Sequence, residues 1–146
     1  MWKNISFNTN ESKAKLFLNN NEVIDEDVKV HYVENGSYAD IPFITILEKL
    51  NFDIEWNDVN LAYITYKSNI FILDLENISL YEKDGDIDDD NLIFPLIGGD
   101  STRKVLYKEI ILDSFTMIDA IKEMGVDIDI DFDFDKSIVY ITSKNN

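Results

Sequence analysis

Nine consecutive positions, Asp127-Ile128-Asp129-Ile130-Asp131-Phe132-Asp133-Phe134-Asp135, place an aspartate at every second residue. In a β-strand, where side chains alternate between faces, this spacing sets the carboxylates in one row, roughly 6.6–6.8 Å apart, and turns Ile128, Ile130, Phe132 and Phe134 toward a core. Like charges held in a row repel one another unless salt, a metal or a cationic partner relieves them. Asp127, Asp129, Asp131, Asp133 and Asp135 are therefore the candidate partner-binding residues, a stripe for Lys and Arg side chains of another protein. The same pattern also describes a solvated outer face that deters edge-to-edge aggregation.

Other chemistry finds little support. Asp84-Gly85-Asp86-Ile87-Asp88-Asp89-Asp90 offers hard oxygen ligands, but an EF-hand counted from Asp84 would have Asp89 in place of its glycine and Pro95 in place of its final glutamate. It reads as a solvated acidic loop. Gly98-Gly99-Asp100-Ser101-Thr102-Arg103-Lys104 lacks the phosphate-loop spacing. The one histidine, His31, lies in Val28-Lys29-Val30-His31-Tyr32-Val33, where alternation puts it beside Lys29 on a solvent-facing side. Carboxylate pairs carry no signal, because among so many acids some lie close by chance. With no cysteine there is no thiol nucleophile or thiolate metal site. The residues predict no enzyme, no metal and no cofactor.

Twenty-nine acidic against 13 basic residues give a net charge of −16, which disfavours nucleic acid and anionic membranes and favours a basic protein partner. A hydrophobic fraction of 45% is that of a folded domain. No stretch approaches the ~18 apolar residues of a membrane span. The expected location is cytoplasmic if Met1 is the native start, and secreted or at the cell surface if a signal peptide has been removed.

Two segments must position these residues. Position 41 aligns with 115, an offset of 74, and Phe43, Ile46, Leu47 and Leu50 share the helical i, i+3, i+4, i+7 spacing with Met117, Ala120, Ile121 and Met124. Helices are predicted over 41–50 and 115–124, with N-caps at Asp40 and at Asp113-Ser114, and stops at Asn51 and Gly125, residue types that tolerate left-handed backbone. After each stop the period becomes two: Phe52, Ile54 and Trp56 match Val126, Ile128 and Ile130, and a second strand follows at 61–66 and 138–142. Trp56 is expected in the core. Further strands are predicted at 15–18, 28–33, 70–75, 78–81, 92–96 and 105–111, with a hairpin turn at Asn35-Gly36. The expected fold class is α+β: antiparallel sheets each packed on a short helix, in two pseudo-repeated helix-strand-strand units. The chain is expected to form one domain, 1–146, in which a break near residue 83 would separate pseudo-repeat halves 1–82 and 83–146.

The run Tyr38-Ala39-Asp40-Ile41-Pro42 to Leu50-Asn51, followed by Phe52-Asp53-Ile54-Glu55-Trp56-Asn57-Asp58, resembles the copper amine oxidase N-terminal-like domain family. Pro42 and Trp56 match its landmarks, while Ile44 stands in place of an Arg and Asn51 in place of a Gly. In the second segment only Gly125 of the landmarks is kept. The resemblance extends over residues 15–142, mainly 38–66. It implies a twisted antiparallel sheet around a helix, a non-catalytic stalk module of bacterial surface proteins, and no copper site. Two functions are thus expected: an acidic module that occupies a basic surface on a partner, as an inhibitor, immunity protein or nucleic-acid mimic does, or a cell-surface stalk or adhesion domain.

Overall fold

The computed structural model describes residues 11–23, 28–31, 37–82, 92–95 and 104–144. The Asn35-Gly36 turn, the acidic loop 84–90 and the stretch 98–103 lie outside them. Among the described residues, thirteen strands and two helices follow in the order β1 (Glu11–Leu18), β2 (Asn21–Glu22), β3 (Val28–His31), β4 (Tyr38–Pro42), α1 (Phe43–Lys49), β5 (Asp53–Asp58), β6 (Leu61–Tyr66), β7 (Asn69–Asp74), β8 (Ser79–Glu82), β9 (Leu92–Pro95), β10 (Lys104–Leu106), β11 (Glu109–Asp113), α2 (Ser114–Glu123), β12 (Ile128–Asp133) and β13 (Ile138–Ser143).

This architecture overturns the expected α+β class, because the protein is mostly β. The strands form an eight-stranded sheet, ordered β10-β11-β4-β3-β1-β13-β12 with β2 added on β1, and a five-stranded meander β5-β6-β7-β8-β9. Nor do the two matching segments build equivalent units. The β5–β6 hairpin is one end of the meander, whereas β12–β13 is one end of the large sheet, where β13 runs parallel to β1 in the register Lys15↔Ile138 to Leu18↔Ile141. Helical and strand periods are local properties, and strand neighbours are chosen by burial over long sequence distances, so similar segments can enter different sheets. Buried residues of both sheets, among them Leu16, Ile41, Ile110 and Val139 from the large one and Ile64, Leu73 and Leu80 from the small one, belong to one apolar cluster.

The predicted helix faces are the buried ones: Phe43, Ile46 and Leu47 of α1 and Met117, Ala120 and Ile121 of α2 are fully inaccessible. Both helices end in the same way. Asn51 and Gly125 take positive φ, 69° and 109°. Asn51 N donates to Glu48 O and Phe52 N to Leu47 O; Gly125 N donates to Lys122 O and Val126 N to Ile121 O. This reciprocal pattern satisfies the last carbonyls of each helix and turns the chain into the following segment.

Their starts differ. Asp113 caps α2 as predicted, its Oδ1 accepting from Phe115 N and Thr116 N, both at 3.0 Å, and its Oδ2 from the Thr116 hydroxyl at 2.6 Å. Asp40 does not cap α1, because residues 38–42 form strand β4 and the cap position falls on Pro42, which makes no side-chain cap bond. Glu109 of β11 supplies the acceptors instead: Ile44 N and Thr45 N donate to its two oxygens at 2.7 and 3.1 Å, and the Thr45 hydroxyl donates at 2.8 Å. The predicted strand 105–111 is broken at Tyr107-Lys108 into the β10–β11 hairpin, with Lys108 at φ 54°. Trp56 is half-buried at the margin of the core, with Lys108 Nζ 5.9 Å from its ring centroid.

Candidate functional site

The aspartate row is carried by β12, the terminal strand of the large sheet. Its antiparallel register on β13 sets Asp129 opposite Thr142, Asp131 opposite Tyr140 and Asp133 opposite Ile138. Those three aspartates therefore share one face of the strand, with Asp127 preceding them, and Asp127, Asp129 and Asp131 are exposed. Asp135 leaves the row. The strand ends at Asp133, whose Oδ1 accepts from Lys136 N at 3.0 Å and closes the turn 134–137, with Ser137 at φ 55°. The apolar face thins along its length: Ile128 is fully buried, Ile130 and Phe132 are half-buried, and Phe134, beyond the strand, is 51% exposed. Phe134 stacks nearly parallel on Phe132, with centroids 5.6 Å apart.

The row is partly neutralised from within the chain. Lys144 Nζ lies 3.0 Å from Asp129 Oδ2, and its hydrogen bond and charge hold the Asp129 carboxyl below its ordinary value, with a smaller contribution from Lys122. Asp129 reciprocally raises the Lys144 ammonium, assisted by Asp127. Asp131 Oδ1 accepts from Phe132 N at 3.0 Å. At the end of the strand, Asp131, Phe132, Asp133, Phe134, Asp135 and Tyr140 surround an open depression of about 370 Å³. Carboxylates beside an exposed ring, that of Phe134, suit a cation on a hydrocarbon stem, because charge attraction and contact with a ring face act together. The alternation predicts Phe134 in the core with Ile128, Ile130 and Phe132, but the strand ends at Asp133 and the turn that follows leaves Phe134 exposed; Lys144 is the part of the site that the alternation does not reveal. The signal for Lys144 was the β12–β13 register, which brings it opposite Asp127.

His31 is not the solvent-facing residue its alternation predicts. Its Nε2 lies 2.9 Å from Asp40 Oδ2, both side chains are mostly buried, and its ring stacks on Tyr38 with centroids 4.7 Å apart. The pairing register places Tyr38 directly opposite His31 and leaves Asp40 on the diagonal. This pair ties β3 to β4, and the second carboxylate oxygen, Asp40 Oδ1, is buried with no hydrogen-bond partner among the described residues. Among the described residues no group of three or more His, Asp or Glu side chains is arranged to hold a metal ion, and no helix is long and apolar enough to cross a membrane. Compared with known proteins, the chain matches no family model, no curated protein and no solved structure.

Proposed function

We propose that the protein is a non-catalytic acidic module that binds a basic surface of another protein, as an inhibitor, an immunity protein or a nucleic-acid mimic would. The observation that carries this reading is the line of exposed carboxylates, Asp127, Asp129 and Asp131, on the terminal strand of a sheet in a chain of net charge −16. Among the described residues Lys144 pairs with Asp129, with a smaller influence from Lys122, and the row stays negative. Such a surface steers a cationic partner and fixes its orientation, so that charge acts mainly on the rate of association.

The test replaces Asp127, Asp131 and Asp135 with Asn, sparing Asp129 with its lysine and Asp133 with its turn. Wild type and variant are used to capture proteins from lysate of the source cells between 0.1 and 1 M salt, over which the screening length falls from about 10 Å to about 3 Å. Wild type is expected to retain basic proteins that are shed as salt rises, and the variant to lose them already at low salt. Capture of the same proteins with the same salt tolerance by both would reduce the aspartates to a solubility feature and overturn the reading.

A further inference from the structure

The main chain of β12 supplies a second, independent recognition element. Lys144 N donates to Asp127 O at 2.8 Å. With the Asp127–Lys144 pair hydrogen-bonded and side chains alternating, the N–H and C=O groups of the odd-numbered residues of β12 point to β13. Those of Ile128, Ile130 and Phe132 point the other way, to the side on which β12 has no partner strand among the described residues. The bond from Phe132 N to Asp131 Oδ1 agrees: this amide is outside the ladder and is met by its neighbour's carboxylate. Ile128 and Ile130 thus present main-chain groups along an open edge, flanked on one face by aspartates and on the other by the half-buried Ile130 and Phe132.

We infer that β12 takes up an extended segment of a basic partner protein as an antiparallel ninth strand of the large sheet, the partner residues alternating basic and apolar. This rests on the proposed binding of a basic protein and specifies how it is bound. Directly opposed residues of antiparallel strands lie on the same face, so basic residues of the partner fall opposite Asp129 and Asp131 in the closely spaced non-hydrogen-bonded pairs, where opposite charges attract best. Its apolar residues fall opposite Ile128 and Ile130, exchange main-chain hydrogen bonds with them, and cover what remains exposed of Ile130 and Phe132. A further Lys or Arg beyond that stretch reaches the depression between Asp131, Asp135 and the Phe134 ring. Complementary charge selects the segment, and the alternation selects its order.

The geometry assigns different roles to the two sets of amides in such a segment, which gives the test. The probe is the capped heptapeptide Lys-Val-Lys-Val-Lys-Val-Lys, compared with a capped peptide of the same composition in block order and with two N-methylated forms of the alternating peptide. Methylating the valine amides blocks the hydrogen bonds to β12, whereas methylating the internal lysine amides blocks only groups that point away. The alternating and lysine-methylated peptides are expected to bind at least about tenfold more tightly than the block and valine-methylated ones. Amide exchange at Ile130, followed by NMR, should slow only with the first two. Equal binding of all four peptides, or unchanged exchange at Ile130, would overturn strand addition while leaving the basic-surface reading in place. Absence of binding by any peptide at low salt would overturn it too, and the Asn variant in lysate then decides separately whether the reading itself stands.

Discussion

Helices α1 and α2 end alike and begin differently. At their C-termini, Asn51 and Gly125 take positive φ, and their N–H groups and those of the next residues donate back to the same pair of carbonyl positions in each helix. At their N-termini, α2 is capped by its own preceding residue, Asp113, and α1 by Glu109, which the sequence places 65 residues from Ile44. The ends are local chemistry and need nothing from the rest of the fold. The start of α1 exists only once β11 has paired with β4 in the register Ile111↔Pro42. A seven-residue helix is marginal by itself, so α1 depends on the sheet for both its apolar contacts and its cap.

The largest expected effect comes from removing the distant cap. Glu109→Ala leaves Ile44 N and Thr45 N, both in a partly buried setting, without acceptors, and should cost about 2–3 kcal/mol in denaturant unfolding, as charged hydrogen bonds at buried sites do. Asp113→Ala should cost about 1–2 kcal/mol, the usual range for a local cap. If the order is reversed, the cap from β11 is incidental to α1.

The helix ends sharpen the contrast at smaller cost. Gly125→Ala puts a Cβ on a backbone at φ 109° and should destabilise by about 1 kcal/mol or more, although the space around it is open, with Tyr66 Cε2 at 4.0 Å. Asn51→Gly, at φ 69°, should change stability by only a few tenths of a kcal/mol. Equal and large losses at both would mean that the residues serve packing and not the turn.

The smallest effect lies on β12. Asp129 is held below its ordinary value of 3.8, so its pairing contributes to stability above that pH and the contribution is lost as pH falls through the lowered value. Lys144 is raised above 10.5, so its contribution is present below that pH and is lost as pH rises through the raised value. Both groups are exposed, and the change in stability should be slight. NMR titration is the sensitive measurement: Lys144→Met should move the Asp129 carboxyl back up toward 3.8, and an unmoved titration would show that the ion pair does not persist in solution.

What was legible in the sequence follows the same division. The apolar faces of both helices, the Asp113 cap, the two left-handed stops and the alternation of β12 all depend on neighbours a few residues away. Glu109 was illegible because its partners lie across the sheet. The strand character of Tyr38–Pro42 was hidden because Asp40 and Pro42 look like a helix start, while Ala39 and Ile41, the buried positions, supply only a short alternation. The Tyr107-Lys108 turn carries none of the Gly, Asn or Asp residues that announce a hairpin. At the aspartate row the alternation was readable, but not that a turn removes Asp135 from it, nor that Lys144 would sit against Asp129. The membership of β5–β6 and β12–β13 in different sheets was likewise beyond local pattern.

The parallel contact between β1 and β13 imposes an order in time. Asn19 and Ser143, joined by hydrogen bonds through both the Asn19 amide nitrogen and oxygen at 2.9 Å, are separated by 124 residues. At about 5–20 residues per second, a ribosome makes β1 roughly 6 to 25 seconds before its parallel neighbour. Throughout that interval one edge of Leu16-Phe17-Leu18 is without its companion. The lysines at 13 and 15, exposed on the opposite face from Ala14, Leu16 and Leu18, keep that waiting strand charged. Closure of the large sheet thus waits for β13, and the acidic strand β12, which among the described residues joins the sheet through β13, is secured only after it.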